Sequence, residues 1–70
     1  MSTDILILEN ESDADRVRVA RAVKHLRQVD VAVLAGVPVA LVSALERGWT
    51  INRRRRRAVF AVLGLEAEDA

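Results

Sequence analysis

Cysteine is absent from this chain of 70 residues, which excludes disulfides and the usual thiolate zinc sites and suits a reducing compartment. A single histidine is too little for a metal site. No apolar run approaches the ~20 residues that span a bilayer, and the chain starts acidic where a secretory signal is basic. These lacks lead us to expect an intracellular protein with no membrane partner. The length allows one domain at most, with a small core and marginal stability.

What is there is charge, arranged in blocks. The net charge of +1 conceals a start, residues 1–15, in which Asp4, Glu9, Glu11, Asp13 and Asp15 stand without a basic residue, and a tail holding Glu66, Glu68 and Asp69. Between them, residues 16–57 carry all eleven basic side chains against only Asp30 and Glu46, a balance of +9. That middle is a candidate polyanion-binding surface.

Three stretches follow: an arm over 1–11, a helical domain over 12–65 and an acidic tail over 66–70. In the arm, Ile5–Leu8 is a short apolar run between acidic residues. A strand paired across a dimer, a segment tucked onto the domain and a disordered start are all open to it. Ser12, with Asp15 three positions on, reads as a helix cap, and a helix from Asp13 to Leu26 follows with Val17, Ala20, Val23 and Leu26 at helical spacing. Gly36 and Pro38 mark a tight turn between two short helices, the second from Pro38 to Arg47 and closed by Gly48. After a loop from Trp49 to Asn52, a helix spans Arg53 to Leu63, with Val59, Val62 and Leu63 inward, Phe60 beside them, and Gly64 as its stop. Val29 to Val33 alternates weakly as a strand would, but Ala32, Leu34 and Ala35 fit a helix equally, and the expected fold is all-α.

The run QVDVAVLAGVPVALVSALER, residues 28–47, resembles the helix-turn-helix of lambdoid phage repressors, Cro proteins and their bacterial relatives, the XRE-type family. Gln28 starts the first helix of the motif, Ala32 is the small residue where the helices touch, Gly36 makes the turn, and Val37, Val42 and Leu45 fall on anchoring apolar positions. Arg21 and Glu46 stand at the spacing of the ion pair that joins the family's first and third helices. Ala61-Val62-Leu63-Gly64-Leu65 is similar to the family's closing helix end.

The resemblance implies a compact bundle of four to five helices, a lambda repressor-like DNA-binding domain with a short arm. It implies a transcription regulator binding double-stranded operator DNA in a bacterial or phage-infected cytoplasm. A recognition helix at about 38–47 would lie in the major groove. The base-facing positions correspond to Pro38, Val39, Ala40, Ser43, Ala44 and Arg47; only Ser43 and Arg47 carry side chains that hydrogen-bond to base edges, and the rest suit thymine methyls. Gln28, Thr50, Asn52, Arg53, Arg54 and Arg55 complete the expected DNA-binding set. Arg55 and Arg56 depart from the pattern, which places apolar residues there, so the helix is rotated or the core thinner.

Blander readings stand beside these. The arginine run also fits a solvated face or a surface for RNA or an acidic protein. Trp49 is expected to plug its loop onto the core, with a place against the DNA backbone as the other reading, and His25 to be a surface or helix-capping residue. Ser43 lacks a histidine base, and no acid, base, nucleophile or metal cluster supports an enzyme, a cofactor or a small-molecule substrate. With the closing fifth helix absent or reduced to 66–70, Ile5–Leu8 is the expected homodimer contact. The alternative function is a protein-interaction module such as an antitoxin or phage-encoded adaptor.

Overall fold

Ser12 opens the first helix, α1 (Asp13–Val23), by accepting the N–H of Asp15 at 3.2 Å. The computed structural model describes residues 12–65; the arm and the tail, with the arm contact expected of Ile5–Leu8, lie outside the described residues. Asp13 and Asp15 sit in the first turn of α1 and Arg21 in its last, each favourable to the helix dipole.

The helix stops three residues before the expected Leu26. His25 turns left-handed at φ 57°, its N–H donates to Ala22 O, and Leu26 N–H reaches back to Arg21 O, both at 3.0 Å. This is a Schellman ending, and it folds Leu26 onto the core. Val23, expected inside, is 72% exposed. Six residues of helix carry it about 120° off the line of buried Val17 at ~100° per residue.

A left-handed non-glycine residue costs about 1–2 kcal/mol. His25→Gly is therefore expected to stabilise the domain by about 0.5–1 kcal/mol, after the extra freedom glycine gives the unfolded chain. Thermal melting should register a rise of a few degrees; an unchanged or lower midpoint would contradict the strain.

The chain then forms α2 (Gln28–Ala35), α3 (Val39–Glu46) and α4 (Arg53–Val62). Among the described residues there are four helices and no strand, an all-α domain. Asp30 secures the start of α2: its carboxylate accepts the Arg27 N–H at 2.8 Å and the Arg27 guanidinium at 3.1 Å. The guanidinium bonds first, then the backbone bond, hold the Asp30 carboxyl below the usual carboxylate range.

Between α2 and α3 only three residues intervene, and the chain bends through 120°. Gly36, at φ 71°, takes a backbone conformation that a side chain would oppose. Pro38, at φ −63°, caps α3, where its missing N–H costs nothing. Buried Ala32 is small enough to let the two helices meet. The core gathers Val17 from α1, Val31 and Ala32 from α2, Val42 and Leu45 from α3, and Val59, Phe60 and Leu63 from α4 and its end. Among the described residues no single helix is long and apolar enough to cross a membrane.

Candidate nucleic-acid interface

Glu46, the last residue of α3, is a charged side chain only 4% exposed. Its burial is tolerable because both oxygens are occupied. Arg21 of α1 donates from Nε to Oε2 at 2.6 Å and from Nη2 to Oε1 at 2.9 Å, a bidentate pair. The Gln28 amide nitrogen adds a bond to Oε1 at 3.0 Å, and Arg21 Nη1 donates to Leu26 O at 3.0 Å. The carboxylate raises the Arg21 pKa above its ordinary value. One buried carboxylate thus ties α3 to α1 and to the start of α2, which fixes how α3 is rotated. Gln28, expected on DNA, has its amide nitrogen engaged in this network.

With Val42, Leu45 and Glu46 turned inward, the other side of α3 is left outward. Pro38, Val39, Ala40 and Arg47 are exposed, and Ser43 and Ala44 are half-buried. Six side chains that the sequence nominates for base contact therefore form an accessible strip, mostly apolar, with a guanidinium at its far end.

The loop after Gly48 leads to Asn52, whose side-chain oxygen caps α4 by accepting the N–H groups of Arg54 at 2.9 Å and Arg55 at 3.3 Å. Asn52 is thus a helix cap. It and Arg53, Arg54, Arg55 and Arg57 surround one surface depression. Among the described residues no carboxylate pairs with Arg47, Arg53, Arg54 or Arg55.

Arg56 takes the opposite course. Its guanidinium lies over the Phe60 ring, 5.2 Å from the centroid, and donates to Asp13 Oδ2 of α1 at 2.8 Å. Arg16 approaches the same ring at 5.5 Å. This accounts for an arginine at a position where the sequence resemblance led us to expect an apolar residue: its stem and planar head cover the aromatic core, and Asp13 neutralises the charge. Sequence reasoning missed Asp13 and Arg16 here; the four-residue step from Arg56 to Phe60 was the available signal.

Trp49 corrects another expectation. It does not plug the loop onto the core but is 65% exposed. It stands, with Thr50, at the edge of a cleft of about 430 Å³ between the start of α1 and the loop leading to α4. Among the described residues no three His, Asp or Glu side chains gather at metal-binding spacing. Comparison with family models, curated proteins and solved structures finds no match to this chain.

Proposed function

We propose that the chain binds double-stranded DNA as a small regulator of the helix-turn-helix, repressor or Cro type, with α3 as recognition helix and the start of α4 gripping phosphates. One observation carries the reading: Arg53, Arg54 and Arg55 occupy the first turn of a helix, exposed and without a carboxylate partner among the described residues. Cations there oppose the helix dipole, typically by 0.3–1 kcal/mol each at low salt. A phosphate brought to that end reverses the sign of the interaction, pairing with the guanidiniums and the helix terminus together.

The bend of 120° across three residues is in the range of helix-turn-helix units, and it supports α3 as the element offered to a groove. Ser43 and Arg47 supply hydrogen bonds to base edges, while Val39 and Ala40 suit thymine methyls. Occupancy of an operator then blocks or adjusts polymerase.

The test is duplex binding measured across salt. Three phosphate contacts contribute a log–log salt slope of about −2.7, at ~0.9 each. Replacing Arg53, Arg54 and Arg55 together with alanine should remove that part of the slope on random duplex. Arg47→Ala should instead lower the preference for a selected site, by about 1–3 kcal/mol if it reads a base. Failure of the parent chain to retain any duplex at low salt would end the proposal. A protein-binding adaptor is the second reading, favoured by Val33 and Leu34, which stand 74% and 64% exposed on α2.

A further inference from the structure

All four helices end in the same way, with a left-handed residue followed by a residue whose N–H reaches back five positions: Leu26, Val37, Trp49 and Leu65. The residue in that place ordinarily packs an apolar side chain against its own helix. Leu26, Val37 and Leu65 are packed on the core. Trp49, the largest of them, is not; most of its surface is open, beside a cleft floored by buried Leu45 and half-buried Ile51.

We propose that this cleft is the docking site of the chain's own arm, with Ile5–Leu8 laid against Trp49, Leu45 and Ile51. Ser12, the first described residue, is itself part of the cleft wall, as are Asp13 and Ala14. The apolar run lies four to seven residues before Ser12 in the sequence, a reach of up to about 14–25 Å of extended chain. No long excursion is needed, and tethering gives the run an effective concentration of order millimolar at the cleft. Ile5–Leu8 is the longest aliphatic run in 1–15, a segment otherwise rich in acid, and Glu9 and Glu11 join it to Ser12. The inference stands apart from the nucleic-acid reading and does not depend on it.

Trp49 is the sole tryptophan and the chain has no tyrosine, so the fluorescence of the full chain reports this site alone. The experiment compares the parent with a full-length variant carrying Ile5→Ser, Leu6→Ser, Ile7→Ser and Leu8→Ser, using acrylamide quenching at several protein concentrations, with far-UV circular dichroism to show that both are folded. Docking predicts a blue-shifted emission in the parent and quenching at least about twofold weaker than in the variant, as burial of half or more of the exposed indole implies, at every concentration. Equal quenching in the two proteins overturns the proposal, whether the indole is open in both or covered in both. Protection that grows with protein concentration overturns it in favour of a second copy on the cleft.

Discussion

Phe60→Ala is expected to leave the domain largely unfolded at 37 °C. The ring is 1% exposed and is the largest fully buried side chain, and truncations of this kind cost about 3–5 kcal/mol. A chain of 70 residues has roughly 4–10 kcal/mol of stability in total, so the loss is a large part of the whole. Two further losses come with the ring. Arg16 and Arg56 both lie over it, and a cation over an aromatic face contributes about 0.5–1 kcal/mol when partly exposed. Phe60→Leu separates these contributions, since it keeps most of the apolar volume and removes the π face; about 1–2 kcal/mol should be lost. Urea denaturation followed by circular dichroism measures both. An alanine variant that melts within a few degrees of the parent would show that the core does not depend on this side chain.

The second large effect is expected at the buried carboxylate. Arg21→Met should cost about 3 kcal/mol, the low end of the penalty for stranding one member of a buried ion pair. Glu46 keeps the Gln28 amide but loses both guanidinium bonds, at 4% exposure where water has little access. Leu26 O loses its side-chain donor in the same step. The informative control is the double variant Arg21→Met with Glu46→Leu. Exchanging a whole buried pair for apolar side chains of similar volume is often neutral or stabilising, so the double variant should recover most of the single loss. Should the double variant be no more stable than Arg21→Met alone, the cost lies in packing around Arg21 and not in the orphaned charge. Duplex binding by the double variant is then a measure of how far the network, apart from stability, sets the face of α3.

Much of the fold was legible because its signals are local. Ser12, Gly36, Pro38, Gly48 and Asn52 mark helix limits through their own backbone and capping chemistry, and the helices begin and end within a few residues of those marks. Val42, Leu45, Val59 and Leu63 are inward at the spacing the sequence shows. What sequence reasoning missed depended on contacts between elements. Val23 follows Val17 and Ala20 in steps of three, which drift about 120° off the buried line by Val23, and the stop that follows is hidden because it uses a histidine in a position where glycine is the usual sign. Trp49 reads as core by size alone, yet its place after Gly48 turns it onto a cleft. Arg56 differs in sequence from its four neighbours only by standing four residues before Phe60; the approach of Asp13, 43 residues away, is what the sequence does not show.

The candidate site divides along the same line. The exposure of Pro38, Val39, Ala40 and Arg47 follows from the helical period once Val42 and Leu45 are set inside. The internal hydrogen bonds of Gln28 and Asn52 qualify their nomination as nucleic-acid contacts. The bond of Asn52 is readable from its place before a helix, whereas that of Gln28 needs Glu46, 18 residues on.

The clamp on Glu46 has a consequence for how this surface varies. Because the rotation of α3 is keyed from its inner side, by a carboxylate held from two other helices, the outer positions 39, 40 and 47 take no part in setting it. Side chains there are free to be exchanged while the helix keeps its bearing, so the chemistry the strip displays can be rewritten without redesigning the domain that carries it.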